Sequence, residues 1–297
     1  MVALRRLLPM LAALTPLFGC SASLRHGVRT TDAATELAQV TRSSSNEFDP
    51  AVSPDGRTLA FERADSPGSK PHVEVAAITE LGKVQPPLEY SSKDALGSRR
   101  LVQTVGDGIQ GTRFLGSVGD AELAGGWPSI SRDHRLAFAL GATTLFQTGW
   151  LKSQSLDQSI GVTDLSGAPT AIFAGTDPAF SPDGKRLALA RHVDGHMHLF
   201  VARPDGSGAV QITDGSEDDR QPAWSPDGQL LAYCAVRRNG EGLEQGNLFV
   251  VHPDGSGLVQ LTEGDSLACR PDWASDGYIY FHANAHERFH IWRLRPS

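Results

Sequence analysis

The chain has 297 residues and an acidic balance, with 27 Lys and Arg against 34 Asp and Glu and a formal net charge of −7. This charge argues against nucleic acid and anionic lipid surfaces as partners, because both repel an acidic protein. Hydrophobic residues make up 40% of the chain, which also holds 31 Gly and 18 Pro. Such a composition favours many short strands and turns around one large core.

The N-terminal segment predicts an exported protein. Arg5 and Arg6 precede a short apolar run, Leu7 to Phe18, that two prolines interrupt. A membrane-spanning helix needs about 20 apolar residues, whereas a short basic region followed by a shorter apolar region is typical of a secretory signal. We therefore expect residues 1–19 to be a signal peptide.

The end of the signal peptide carries a candidate lipidation site. The sequence Leu17-Phe18-Gly19-Cys20 resembles a bacterial lipobox, which implies that Cys20 is acylated and becomes the mature N-terminus. Ser21 after the cysteine resembles the pattern of lipoproteins sent to the outer membrane, on its periplasmic side. The polar residues 20–35 would then form a tether. The alternative is ordinary cleavage, which gives a soluble secreted or periplasmic protein.

A repeated turn phrase organises the rest of the chain. Ser-Pro-Asp-Gly begins at Ser53, Ser181 and Ser225, and a Leu-Ala pair follows each copy after two residues. Proline presets φ for a tight turn and glycine accepts positive φ, so each copy predicts a strand, a turn and a second strand. Weaker copies begin at Ser131 and Ala274, and we interpret residues 92–102 as a degenerate sixth copy.

The repeat extends to four strands. A third strand such as Asn247-Leu248-Phe249-Val250 leads into Pro-Asp-Gly-Ser-Gly and then into a fourth, such as Val259-Gln260-Leu261-Thr262. Four short antiparallel strands that recur every 40 to 50 residues are typical of a β-propeller blade. The sequence therefore predicts an all-β, six-bladed propeller over residues 36–297, with four strands in each blade.

The two ends of the chain predict how the ring closes. The last copy stops at Ser297 after its third strand, and Ala38-Gln39-Val40-Thr41 matches the fourth strands elsewhere. We expect this N-terminal strand to complete the last blade, because closure removes exposed sheet edges.

The repeat also carries a family resemblance. Pro222-Ala223-Trp224-Ser225-Pro226-Asp227-Gly228, with the downstream Pro253-Asp254-Gly255-Ser256-Gly257, resembles the repeat of TolB-type propellers. The resemblance implies a non-catalytic, monomeric module that binds an envelope protein or peptide at one face of the disc. It implies no cofactor. The irregular segment from Glu80 to Glu122 is the candidate for specificity, or else a degraded blade that fills the ring.

Two bunches of histidines leave an enzyme as the alternative. His192 and His282 occupy equivalent repeat positions, as do His198 and His290, and this repetition favours a scaffold role. Propellers of the oligogalacturonate lyase type resemble this fold and use histidine-rich sites, so convergence of the bunches would favour a polysaccharide-acting lyase or hydrolase. We assign no catalytic, cofactor-binding or metal-binding residue. The full set of bunched histidines is His192, His196, His198, His282, His286 and His290.

Two cysteines follow the candidate lipidation site. An oxidising compartment would permit a bridge between Cys234 and Cys269, but spacing alone does not place them within reach of each other. We favour the interpretation that both are buried free thiols that pack as small apolar residues.

Overall fold

A computed structural model describes the chain in twelve stretches: 27–53, 56–66, 69, 72–78, 113–118, 121–131, 133, 135–140, 159–164, 169–238, 244–285 and 288–297. Strands and turns make up these stretches. Within them, no helical segment has the length and hydropathy to span a bilayer.

The strands are short, as the repeat predicts. In chain order they are β1 (Arg29–Thr30), β2 (Ala34–Gln39), β3 (Asn46–Val52), β4 (Thr58–Ala64), β5 (His72–Ala77), β6 (Arg113–Val118), β7 (Ala121–Ile130), β8 (Leu136–Leu140), β9 (Ser159–Thr163), β10 (Ala171–Ala174), β11 (Thr176–Phe180), β12 (Leu187–Val193), β13 (His196–Ala202), β14 (Val210–Gln211), β15 (Asp218–Trp224), β16 (Leu231–Arg238), β17 (Glu244–Val251), β18 (Val259–Gln260), β19 (Thr262–Glu263), β20 (Ala268–Trp273), β21 (Ile279–Ala285) and β22 (Arg288–Pro296).

These strands form five antiparallel sheets that are the blades of a propeller. Blade 1 contains β3 to β5, blade 2 contains β6 to β10, blade 3 contains β11 to β14, and blade 4 contains β15 to β18. Blade 5 contains β20, β21 and β22, with β2 as its outer strand. Neighbouring blades pack through the first strand of each repeat copy, with β11 against β7 and β15, and β20 against β15 and β3.

The prediction of six blades is wrong. The part of the chain that the structure describes forms five, because β6 pairs with β7 along Phe114↔Gly125 and adds a strand to blade 2 instead of starting a blade. The degenerate copy at residues 92–102, which supported a sixth blade, lies outside the described residues. The all-β propeller class itself is confirmed.

The N-terminal strand closes the last blade, as the repeat predicts. β2 pairs antiparallel with β22, with Ala34 opposite Pro296 and Gln39 opposite Trp292. The backbone N–H of Val40 continues the ladder by donating to the carbonyl of Ile291 at 2.8 Å. Further upstream, β1 pairs with β19 beside blade 4, so a strand lies inside the stretch that the sequence assigns to the tether.

The repeated turn phrase forms the tight turns that its residues predict. In blade 3 the Gly184 N–H donates to the Ser181 carbonyl at 2.8 Å, and Gly184 has a φ of 70°. The Ser181 hydroxyl donates to Asp183 at 2.6 Å and accepts from the Arg186 N–H at 2.9 Å. The first apolar residue of the strand after each turn is fully buried, which explains why the phrase recurs. These residues are Leu59, Leu136, Leu187, Leu231 and Ile279.

Side chains from one blade also hold the turn of the next. The Arg186 guanidinium of blade 3 lies 4.5 Å from the Trp224 ring of blade 4 and donates to the Gly228 carbonyl at 2.9 Å. Trp224 Nε1 returns a hydrogen bond to the Ala179 carbonyl at 2.8 Å. Cation–π contacts of this kind contribute about 0.5–1 kcal/mol where partly exposed. These contacts therefore fix the register between blade 3 and blade 4.

Candidate functional site

The first strand of each repeat copy carries a β-bulge immediately before a proline in all five blades. In blades 1, 3, 4 and 5 the residue at the bulge has a positive φ, between 49° and 59°, and these residues are Asp49, Asp177, Gln221 and Arg270. The pairing register shifts at each of these positions. A left-handed conformation costs a non-glycine residue about 1–2 kcal/mol, and such strain concentrates at functional sites. The repeated bulge therefore points to the axis of the propeller, which these strands surround and which we call the channel, as a candidate functional site.

The four bulge residues meet at the centre of the propeller, and we call them the axial cluster. Arg270 Nε of blade 5 lies 3.3 Å from Asp49 Oδ1 of blade 1, and Arg270 Nη1 lies 3.8 Å from Asp177 Oδ1 of blade 3. The Arg270 backbone N–H donates to Gln221 Oε1 of blade 4 at 3.0 Å. Since blade 4 lies between blades 3 and 5, the contact between Arg270 and Asp177 crosses the channel.

The axial cluster is buried and carries unequal charge. The side chains of Asp177, Asp49 and Arg270 are 3%, 8% and 14% exposed. Within this cluster two carboxylates face one guanidinium, and Asp177 is the farther of the two. Both oxygens of Asp177 lack a hydrogen-bond donor among the residues that the structure describes. Burying a carboxylate in this way is costly unless donors satisfy it.

His282 supports the axial cluster from one side. Its Nδ1 accepts a hydrogen bond from the Asp49 backbone N–H at 3.2 Å and lies 3.5 Å from Asp49 Oδ1. The ring packs edge-on against Phe48 and Phe289, at centroid distances of 6.0 and 5.4 Å. The His282 side chain is 3% exposed. These contacts hold the bulge of β3 in place.

The other buried histidines lie in the seams between blades. His198 Nδ1 of blade 3 is 3.5 Å from Asp219 Oδ2 of blade 4, and His290 Nδ1 of blade 5 is 2.9 Å from Glu47 Oε2 of blade 1. The two pairs occupy equivalent positions of the repeat, so they join neighbouring blades in the same way. They serve as scaffold contacts, as the repetition in the sequence favours.

The described histidines of the two bunches do not converge. His192 and His282 are also not equivalent, because the residue of β12 that corresponds to His282 of β21 is Ala190. His198, His282 and His290 each contact a different carboxylate at a different place, His192 is exposed on β12, and His286 lies outside the described residues. Across the described ranges, no three His, Cys, Asp or Glu side chains are arranged to hold a metal ion.

The seam between blades 3 and 4 contains a carboxyl group with a perturbed pKa. Burial raises the pKa of Asp219 to about 6, above the ordinary value of 3.8. Hydrogen bonds from Thr213 and His198 act in the opposite direction but do not offset the burial. The charged form of Asp219 is therefore disfavoured in the folded protein.

We expect Asp219→Asn to make the protein more stable at neutral pH. Because the folded-state pKa of Asp219 lies above its ordinary value, the stability that this group contributes is fully present below pH 3.8 and is lost as pH rises through 6. The substitution should raise the free energy of unfolding at pH 7 by up to about 3 kcal/mol, and the gain should shrink as pH falls toward 4. Urea unfolding across this pH range measures both.

Asp194→Asn is the matched control for this prediction. Asp194 is exposed in the turn between β12 and β13, so its substitution removes a surface carboxylate and should change stability by less than about 0.5 kcal/mol. A parallel pH dependence for wild type and Asp219→Asn would contradict the assignment of the raised pKa to Asp219.

A disulfide joins blades 4 and 5, so the interpretation of two free thiols is wrong. Cys234 of β16 and Cys269 of β20 are bonded, with a Cα–Cα distance of 5.1 Å. Gly246 of β17 makes room for the bond, since a Cβ there would lie 2.7 Å from Cys269 Sγ. Residues 35 apart in sequence become neighbours because the second strand of blade 4, β16, packs against the first strand of blade 5, β20. Cys20, the candidate lipidation site, lies outside the described residues.

The sequence analysis missed the axial cluster, although the sequence contains a signal for it. In the three strong copies and in the weaker copies at Ser131 and Ala274, a residue followed by proline stands four positions before the turn phrase. Proline at a fixed place in an inner strand indicates a bulge, because it cannot donate to the ladder. The five positions are Asp49, Trp127, Asp177, Gln221 and Arg270.

The fold and the axial cluster define an all-β propeller with a polar, charged channel. Residues 158–296 match the family described as the TolB beta propeller domain, a little under half of the chain. Over this region the chain is similar to that family.

Individual relatives match over shorter stretches. The uncharacterized peptidase YuxL of Bacillus subtilis is 34% identical over 74 residues, which are 23% of this chain and 11% of that protein. The Tol-Pal system protein TolB of Desulfosudis oleivorans is 38% identical over 58 residues, or 20% of this chain and 13% of that protein. The similarity thus spans a small part of each relative. The structure of an oligogalacturonate lyase in complex with manganese superimposes with a TM-score of 0.48 at 13% identity, covering 91% of this chain and 96% of that one.

Proposed function

We propose that this protein is an exported, non-catalytic propeller that binds an envelope protein or peptide at one face of its disc, over the channel. The observation that carries the proposal is the axial cluster, in which four blades each place one strained polar residue at the centre. A shared polar channel suits recognition of a partner that approaches along the axis. The matched TolB-type region and the name of the Tol-Pal relative support a partner from the cell envelope.

The proposal includes an anchor at the N-terminus. Signal peptide 1–19 would direct export, and acylation of Cys20 would attach the monomer to the outer membrane on its periplasmic side. β1 begins at Arg29, nine residues after Cys20, so an extended connection would reach about 30 Å. An anchored disc would therefore stay close to the membrane, within reach of other envelope proteins.

Site-specific photocrosslinking in growing cells tests the binding function. A photoreactive residue replaces Asp194, on the face with the β12–β13 turn, or Asp205, in the β13–β14 turn on the opposite face. The matched rim position is Ile172, which is 62% exposed on the outer strand β10. We expect a discrete protein adduct from one face and none from the rim.

Two outcomes would contradict the proposal. Equal adducts from Asp194, Asp205 and Ile172, or no adduct from any position, would exclude a face-specific partner.

In parallel, purified protein is incubated with oligogalacturonate, and release of unsaturated products would support the lyase alternative. Labelling of wild type but not Cys20→Ala with radioactive palmitate tests the anchor.

A further inference from the structure

We propose that Asp177 is the receptor for a primary ammonium group of the partner, either a lysine side chain or an amino terminus, that enters the propeller channel. This inference rests on the proposed binding function and specifies the chemistry of the partner. Asp177 is the member of the axial cluster whose two carboxylate oxygens both lack a hydrogen-bond donor among the described residues.

The Asp177 carboxylate lies in the channel with both oxygens unused. Its side chain is 3% exposed, and neither oxygen accepts a hydrogen bond from any residue in the described ranges. The nearest cationic atom, Arg270 Nη1, is 3.8 Å away across the channel, beyond hydrogen-bonding distance. The left-handed backbone of Asp177, with a φ of 50°, keeps the Asp177 side chain at the bulge. A buried carboxylate held in this way is a site prepared for N–H donors.

The charge of the axial cluster selects a single positive charge. Asp49 and Arg270 form the shorter ion pair, at 3.3 Å, and Gln221 Oε1 is occupied by the Arg270 N–H. Asp177 lies farther from the guanidinium, at 3.8 Å, and neither of its oxygens accepts a hydrogen bond from a described residue. One monovalent cation beside it would neutralise its charge.

The geometry favours an ammonium ion over a metal ion. Divalent ions such as calcium need six to eight oxygen ligands, and no three potential ligands are arranged for a metal within the described residues. The Arg270 guanidinium, 3.8 Å from Asp177, would also repel a dication. A primary ammonium group is compact, carries one charge and offers three N–H donors. It therefore meets both the hydrogen-bonding and the charge requirement of Asp177.

Calorimetric titration of the full chain in detergent with n-butylammonium chloride tests the proposal. We expect wild type to bind n-butylammonium, and Asp177→Asn to bind it at least tenfold more weakly, because asparagine keeps the shape but removes the charge. Tetramethylammonium, which has the charge but no N–H donor, should bind wild type at least tenfold more weakly than n-butylammonium. The matched control is Asp194→Asn, an exposed aspartate that also has a positive φ, of 51°, and lies away from the channel.

A second measurement separates binding from folding. Asparagine tolerates the left-handed conformation and needs less solvation than a buried carboxylate, so Asp177→Asn should melt at the same temperature as wild type or above it. Loss of ammonium binding without loss of thermal stability identifies Asp177 as a binding residue.

Three results would overturn the proposal. They are undiminished n-butylammonium binding in Asp177→Asn, equal binding of tetramethylammonium, and heat of binding from calcium chloride with none from n-butylammonium chloride. The photocrosslinking experiment distinguishes this inference from the proposed function. A face-specific adduct that persists unchanged in Asp177→Asn would leave the binding function standing and remove the ammonium receptor. Ammonium binding without any adduct would keep the site and remove the proposed function.

Discussion

Arg270→Met should lower the free energy of unfolding by about 3–5 kcal/mol, because it removes the cation that faces two buried carboxylates. Arg270 Nε lies 3.3 Å from Asp49 Oδ1, and Nη1 lies 3.8 Å from Asp177 Oδ1. Methionine fills a similar volume and has the same backbone requirement at the bulge, so the loss reports mainly on charge. Urea unfolding at pH 7 measures it.

Two further variants separate this electrostatic effect from packing. Arg203→Met is the matched control, since Arg203 is exposed beside the β13–β14 turn and its replacement should change stability by less than about 0.5 kcal/mol. Adding Asp177→Asn to Arg270→Met should recover part of the lost stability, because one buried carboxylate then no longer needs a cation. If the double variant is as unstable as the sum of the single changes predicts, the carboxylate and the guanidinium are not coupled across the channel.

The local part of this fold follows from the sequence because its determinants are local. The turn from Ser181 to Gly184 needs a residue that fixes φ, a side-chain acceptor and a residue that accepts a positive φ. The sequence supplies them in that order, as proline, aspartate and glycine. The closure of blade 5 by β2 was also predictable, since the outer strands share the Val-Gln-Leu-Thr pattern.

The number of blades depends on pairing that the repeat does not encode. β6 lies between two copies of the repeat and has no turn phrase of its own, and only its pairing with β7 assigns it to blade 2. Because 78 residues separate Ser53 from Ser131, the sequence alone predicts two blades in this interval. An extra strand and a degenerate blade lengthen the sequence in the same way.

The axial cluster and the disulfide depend on contacts between blades. The residue before the proline can be found in every copy, but its meaning requires knowing that this strand is innermost and that the ring is narrow enough for Arg270 to reach Asp177. Similarly, Cys234 and Cys269 lie at unrelated positions of their own blades and meet because β16 packs against β20.

Removal of the disulfide should destabilise the protein by about 4 kcal/mol, the value expected for a cross-link that closes a loop of 35 residues. The comparison is between oxidised wild type and Cys234→Ala/Cys269→Ala in urea unfolding. Both cysteines are buried, with relative exposures of 0% and 4%, so reductant should act on the folded protein only when the blades open.

Reduction provides the control for the cavity that the alanines create. Dithiothreitol added during unfolding should lower the stability of wild type toward that of the double variant and leave the double variant unchanged. Equal stability of oxidised and reduced wild type would show that the stacking of β16 on β20 suffices without the bond. Because Cys269 directly precedes Arg270, loss of the bond should also weaken the coupling between Arg270 and Asp177 measured above. A coupling that is unchanged in Cys234→Ala/Cys269→Ala would instead mean that the bulge alone holds Arg270 in the channel.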